Sequence, residues 1–437
     1  MGPSLLRRNA CWTGVTIRWH ICAMSLMRRA FLSLLLLVAA CASAPERAGP
    51  VGEPAPVILI SIDGFRHDYL DRGHAPTLSA MAAGGVRAVM RPSFPSKTFP
   101  NHYSIVTGLR PDRHGVIGNV MEDPERPGLL FELWNREVAS DPIWWRDAAP
   151  IWVTAERAGV RTGTMFWPGS DFELHGVRPS QWRAFDQSMP NEARVDTLLS
   201  WFDLPAEERP RFFTLYFDTV DTAGHTYGPM ASETDEAMAG VDAAIARLLA
   251  GLEARGLRGR VNIIVVGDHG MTEQAEDRVI DIDAIAPPTL ARVVWDGEFA
   301  GIEPAAGHTA DQLAAALSGP HHNMECWRRG DLPERLGYGH HRRMPAIVCL
   351  ADLGWRIRTS TIPAGEWVSL GGHGYDNAAP DMATMFIGHG PAFRAGVRLE
   401  TIDNVSVYPL LASLIGVAPE QGQDQGDASA FDSALAR

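Results

Sequence analysis

Cysteine is scarce in this chain. Its 437 residues carry five, and only Cys326 and Cys349 lie beyond residue 41. At most one intrachain disulfide can therefore form in the body of the protein. Positive charge is also in short supply: 39 Lys and Arg against 52 Asp and Glu leave a formal net charge of −13. That argues against a nucleic-acid surface, which would need a basic face. It also raises a question for any anionic substrate, since only bound cations could reverse the sign locally. The apolar run at 30–40 is too short and too weakly flanked to span a membrane. Internal repeats and low-complexity segments are absent. A chain of this length then forms two or three ordinary domains or one elaborated α/β domain.

An export address is present. Met27-Arg28-Arg29 precedes the apolar run, which has the length of a signal h-region. Val38-Ala39-Ala40-Cys41 then resembles a bacterial lipobox, whose cysteine is lipidated and becomes the new N-terminus. Cleavage by ordinary signal peptidase at Ala40-Cys41-Ala42 is the other reading, and both stay open. Residues 1–26 read as an upstream extension from a misassigned start. We expect 1–44 to be extension, signal peptide and lipobox region, and 45–56, rich in Pro, Gly and Ala, to be a tether. The expected location is the periplasm, with attachment to the outer membrane through Cys41 if the lipobox is used. In an oxidising compartment Cys326 and Cys349 most simply pair, closing a loop of about 23 residues worth ~3 kcal/mol in the chain-entropy model. Two buried thiols are the alternative.

The body begins with Val57–Ile62, continuously apolar, as in a strand buried on both faces of a parallel sheet. Further strands are expected at 86–90, 160–167, 212–217, 261–266 and 383–388, with helices at 151–158, 233–254 and 404–415. The 233–254 helix carries Met238, Val241, Ile245, Leu248, Leu249 and Leu252 at spacings of three and four, one stripe to lay on a sheet. Alternating strands and helices predict an α/β fold, a mostly parallel central sheet with helices on both faces. Residues 57–280 form its first part and 368–418 its second. Between them, 281–367 holds both cysteines and the histidine doublets 321–322 and 340–341, and reads as a small inserted cap. The tail, 419–437, is polar and is expected to be loose.

The stretch Pro92 to His102 runs out of a strand into a proline-stiffened turn, with Thr98 at the start of a helix-like run. A helix N-terminus attracts a phosphate-like anion, although a threonine there is ordinarily only an N-cap. Its company alters that reading. Strand ends deliver Asp63, Asp221 with His225, Asp268 with His269, and a glycine-flanked His373. Three carboxylates and three imidazoles make a ligand set for two borderline divalent ions, zinc first. Asp221 and His225 are expected to bracket a short Gly-containing turn.

Ile62-Asp63-Gly64, Lys97-Thr98-Phe99-Pro100-Asn101-His102, Thr107-Gly108-Leu109 with His114-Gly115, Asp221 with Gly224-His225, Gly267-Asp268-His269-Gly270-Met271 and Gly372-His373-Gly374 together resemble the nucleotide pyrophosphatase/phosphodiesterase family. That family belongs to the alkaline phosphatase superfamily, and the likeness, to its compact bacterial members, covers about 57–416. It implies an alkaline-phosphatase-like fold and two zinc ions. One would be held by Asp221, His225 and His373, the other by Asp63, Asp268 and His269, with the Thr98 oxygen as a further ligand. It implies that Thr98 is the nucleophile of a phosphodiesterase that passes through a covalent phospho-threonine and releases a nucleoside 5′-monophosphate. Asn119 resembles the residue that donates to a phosphoryl oxygen, with the Thr98 N–H as companion; a plain turn asparagine is the bland alternative. Phe99 and Phe185 resemble the pair of rings that sandwich a nucleobase, although either could be a core aromatic. Lys97 and His102 match the motif without an evident task. A lipid or choline phosphodiesterase of the same family is the nearest alternative. A non-enzymatic metal-binding lipoprotein would have a damaged ligand set, and all six ligands are present. No protein partner is expected.

Overall fold

Every position of Val57–Ile62 (β1) is apolar or small because the sheet is covered on both sides. Val57 and Leu59 enter one hydrophobic core, and Ile58, Ile60 and Ile62 the other, as strand alternation requires. The structure, a computed structural model, describes residues 54–363 and 369–436. The signal and lipobox region, Cys41, most of the tether and the last residues of the expected cap lie outside them.

In chain order the main elements after β1 are β2 (Val86–Arg91), α1 (Thr98–Thr107), α2 (Ile151–Arg157), β3 (Thr162–Met165), α3 (Asn191–Phe202), β4 (Phe212–Phe217), α4 (Thr219–Tyr227), α5 (Ser232–Ala254) and β5 (Asn262–Val266). There follow β6 (Ala291–Trp295), β7 (Phe299–Pro304), β8 (Met324–Arg328), β9 (Ile347–Ala351), β10 (Thr384–His389) and α6 (Val407–Ile415). The central sheet runs β2-β10-β5-β1-β4-β3, with short strands at both edges. Pairing is parallel throughout β5-β1-β4-β3, and only β10 runs against its neighbours. This is the expected α/β architecture, a mostly parallel central sheet. Helices α1, α2 and α6 cover one face and α3 and α5 the other. The α5 stripe is buried as its spacing predicts, except Leu249, which is only partly covered.

The strand expected at 160–167 is shorter, because the chain leaves the sheet after Met165. Within the expected insertion, β6, β7, β9, β8 and Gly319–His321 build a second, antiparallel sheet. One of its faces, with Trp295, Phe299, Val348 and Leu350, joins the larger core of the body. The other, with Ala300, Ile302, Ile347 and Cys349, closes a third core. The inserted segment thus packs into the body through one face of its sheet. Cys326 and Cys349 face each other across β8 and β9 and form a disulfide.

The tail is not loose. Phe431 and Ala434 are fully buried, and Gln423 bonds the backbone of Thr107 and Ala149. Its polar composition concealed one aromatic anchor and one amide that satisfies buried carbonyls. No helix among the described residues is long and apolar enough to cross a membrane.

Candidate active site

Parallel neighbours end on the same edge of a sheet, so the carboxyl ends of β5, β1 and β4 meet. Ser61 is in register with Tyr216 on one side and Val266 on the other. Two residues further along each strand, Asp63 and Asp268 therefore stand side by side. Beyond β4 the chain turns into α4, which carries Asp221 in its first turn and His225 four residues on. The turn expected between these two is a helix, and i,i+4 spacing places both on one face. His373 follows the two-residue strand Gly371–Gly372, which pairs with Thr272–Glu273 just after β5. A Cβ at Gly371 would come within 2.4 Å of the Gly224 carbonyl oxygen, so the glycines let this loop lie against α4.

Two ligand groups result: Asp221, His225 and His373, and Asp63, Asp268 and His269, with candidate ligand atoms in each within 4.8 Å of one another. All three imidazoles are held by backbone carbonyls at Nδ1: His225 by Gly371 (2.7 Å), His269 by Gly270 (2.9 Å) and His373 by Ser96 (2.8 Å). A carbonyl only accepts, so Nδ1 carries a proton and each ring turns Nε2 inward, the atom a divalent ion would take up and the arrangement of metal-ligating histidines. Nε2 of His373 and Nε2 of His225 stand 3.1 Å apart, and the His269 and His373 rings stack at 3.5 Å.

Buried oxygens Oδ1 of Asp63, Oδ1 of Asp221 and Oδ2 of Asp268 have no hydrogen-bond partner. Burial, reinforced by the charges of Asp268 and Asp221, pushes the Asp63 carboxyl well above its usual range, against the pull of a 2.6 Å bond from Tyr216. Burial acts the same way on Asp268, but His269 and His102 outweigh it and hold that carboxyl low. Clustered buried carboxylates and facing ring nitrogens are costly without a cation between them. The donor set, oxygen and imidazole nitrogen at tetrahedral-sized spacing, fits divalent ions of the zinc class.

Thr98 is the first residue of α1, and the N-cap is Lys97. Its Oγ1 lies 3.3 Å from Nε2 of His269. Pro100 is the third helical residue, two later than its usual first position. Asn119 accepts the Phe99 N–H at Oδ1 (3.0 Å), which leaves its NH2 group to donate. The Thr98 N–H is one of the first-turn donors that a helix leaves without an intrahelical partner. Phe99 packs on Phe131 and Trp145. Phe185 stays 46% exposed, its ring against Phe166 and Tyr216. Phe99 thus packs among aromatics next to Thr98, while Phe185 lies against Tyr216, the residue bonded to Asp63. A cavity of about 450 Å³ elsewhere includes none of these residues, and its Arg292, Arg342 and Arg343 are already paired with Glu122 and Asp123.

Two residues whose tasks could not be read from the sequence complete the site. Tyr216, an ordinary strand residue, steadies Asp63. His102 is fully buried, with Nδ1 on the Thr98 carbonyl (2.8 Å), Nε2 on Ser61 Oγ (2.8 Å) and Asp268 Oδ2 at 3.3 Å. Its place in the Thr98 motif was visible; its links to β1 and β5 were not.

Residues 57–376 match the family model of type I phosphodiesterases/nucleotide pyrophosphatases. Ectonucleotide pyrophosphatase/phosphodiesterase family member 1 of Homo sapiens is 35% identical over 391 residues, 87% of this chain and 42% of its own. The chain thus spans about two-fifths of that relative's length. An uncharacterized pyrophosphatase/phosphodiesterase of Schizosaccharomyces pombe is 36% identical over 389 residues, 85% of this chain and 79% of its own. Among solved structures, murine ectonucleotide pyrophosphatase/phosphodiesterase 5 superposes with TM-score 0.81 at 33% identity, covering 87% of this chain and 100% of that one. An inactive threonine-to-alanine variant of that mouse protein, in complex with AMP, matches with the same TM-score at 32% identity.

Proposed function

The chain belongs to the type I phosphodiesterase/nucleotide pyrophosphatase family, and from that premise we propose that it hydrolyses nucleotide diesters or pyrophosphates, releasing a nucleoside 5′-monophosphate. The observation that carries this reading is Thr98 Oγ1, the hydroxyl at the mouth of α1, 3.3 Å from His269 where the two ligand groups meet. The AMP complex of the inactive threonine variant of the mouse relative supports both the nucleotide and the nucleophile.

In this mechanism Oγ1 of Thr98 bonds to phosphorus as the bond to the leaving oxygen breaks, giving a phospho-threonine. Water then attacks the same phosphorus, releases the nucleoside monophosphate and returns the hydroxyl. Asp221, His225 and His373 would hold one divalent ion and Asp63, Asp268 and His269 another, with the Thr98 oxygen as a further contact and zinc as the proposed metal. Such ions activate an alcohol at neutral pH and stabilise charge on attacking and leaving oxygens. The NH2 group of Asn119 and the Thr98 N–H would donate to a non-bridging oxygen. His102 holds the Thr98 carbonyl, and Tyr216 holds Asp63. Phe99 and Phe185 offer ring faces to a base, each stack worth ~1–3 kcal/mol. Two such ions and the N-terminus of α1 would also answer the net charge of −13. The disulfide supports placement outside the cytoplasm.

The test compares a thymidine 5′-nitrophenyl phosphodiester with nitrophenyl-phosphocholine, alongside metal analysis of the same protein. Turnover of the nucleotide ester is expected, lost on chelation, restored by zinc, and reduced ~1,000-fold or more in Thr98→Ala. Preference for the choline ester would reassign the substrate. Full activity of the variant would remove Thr98 from the chemistry.

A further inference from the structure

Lys97 precedes the nucleophile and caps α1, yet its side chain makes no bond to that helix. Its ammonium reaches Glu298 instead, Nζ to Oε2 at 2.5 Å, with the two side chains 17% and 11% exposed. Glu298 belongs to the second sheet: it precedes β7, and its carbonyl accepts the Ala351 N–H of β9. Its other carboxylate oxygen accepts from Nε2 of Gln274 (2.8 Å), which also lies 2.9 Å from the Tyr375 hydroxyl. The Tyr375 carbonyl then accepts from Ser96 Oγ (3.0 Å). Ser96 adjoins Lys97, so the ring of contacts closes on itself.

His373 lies within this ring. Its Nδ1 donates to the Ser96 carbonyl, and both flanking glycines leave room for ring members. A Cβ at Gly372 would stand 2.0 Å from Nε2 of Gln274, and one at Gly374 would stand 2.4 Å from Cε of Lys97. A buried ion pair is weak evidence for stability and is more informative about which geometry is selected. Here it ties the residue before Thr98 and the loop of His373 to a sheet that contributes no ligand.

We propose that Lys97 and Glu298 are a positioning pair through which the second sheet sets the placement of Thr98 and His373 for the reaction. The inference rests on the proposed roles of those two residues. A pair that only stabilised the fold would change melting temperature and leave kcat alone below it. A pair that positions must change kcat in a folded protein, since a displacement of about 1 Å costs roughly 100-fold.

Glu298→Gln, Lys97→Met, Lys97→Arg and the Lys97→Met/Glu298→Gln double variant are compared on the nucleotide ester well below their melting temperatures. Amide exchange is followed in peptides covering 96–104 and 371–376. We expect ~10- to 100-fold lower kcat in each disruptive single variant with KM within about threefold. The double variant should be no worse than the poorer single, Lys97→Arg should recover most of the rate, and exchange should quicken in both peptides. Glu298→Gln with kcat within about twofold of wild type overturns the proposal, as do single losses that multiply in the double. Should one single variant fail to fold, the other carries the comparison. If wild-type protein does not turn over the ester, the functional reading fails. The exchange data then decide this inference by themselves, and unchanged exchange overturns it.

Discussion

His114 shows how burial alone sets the behaviour of one residue. The ring is fully buried, Nδ1 accepts the Val116 N–H (3.1 Å), and Nε2 donates to Ser104 Oγ (3.0 Å). Burial, helped by His341 and Arg343, pushes its pKa down to about 3. In the unfolded chain the ring protonates near its ordinary value of about 6.5. Between those values the unfolded state binds a proton that the folded state does not, so stability falls as pH drops through that window. The slope is at most ~1.4 kcal/mol per pH unit for this group. Melting temperature should therefore fall more steeply between pH 6.5 and 4.5 in wild type than in His114→Gln, and equal slopes would show that the ring is not held neutral. The sequence placed His114 in a family motif by its neighbours, but its neutrality depends on a shell drawn from several elements.

At the scale of elements, α1 holds the site because Asn101 spends three hydrogen bonds on the turn before it and a fourth on Asn404. Oδ1 accepts from the Ser93 N–H (2.7 Å) and from Asn404 Nδ2 (2.9 Å). Nδ2 donates to the carbonyls of Pro95 (2.9 Å) and Lys97 (2.8 Å). Turn, nucleophile helix and the entry to α6 are thereby joined by one buried amide. Asn101→Ala would strand several buried polar groups, each costing ~1–3 kcal/mol. Denaturant unfolding should show a loss of ~2–4 kcal/mol relative to wild type, and kcat should fall as Thr98 loses its placement; an unmoved midpoint would refute the account. The helix, its start and its nucleophile were legible in Lys97-Thr98-Phe99-Pro100-Asn101-His102. The task of Asn101 was not, because one of its partners, Asn404, lies 303 residues away.

Across the whole molecule, the C-terminal tail acts as a clasp. Gln423 donates to the carbonyls of Thr107 (2.7 Å) and Ala149 (3.0 Å) and accepts the Ala149 N–H (2.9 Å), joining the end of α1 to the approach to α2. Phe431 packs on Phe386 of β10. Deleting 420–437 leaves those carbonyls without Gln423 and removes a buried aromatic, a change worth ~3–5 kcal/mol for the ring alone. A clear fall in melting temperature is expected. A truncated protein that melts with wild type would mean that the tail is as loose as its composition suggests.

Residue type and short-range order by themselves determined the alternation of strands and helices, the apolar runs that needed two covered faces, and the oxygen and nitrogen donors at successive strand ends. Such features repeat over a few residues, so local chemistry suffices to write them. Only the tertiary structure decided that Asp221 and His225 share a helix face and that Tyr216 and His102 stand behind the carboxylates. It also brought Glu298, from a sheet without a ligand of its own, to the residue preceding Thr98. Those neighbours are chosen by packing of two cores and a second sheet, a sum over distant contacts that no short stretch of chain contains.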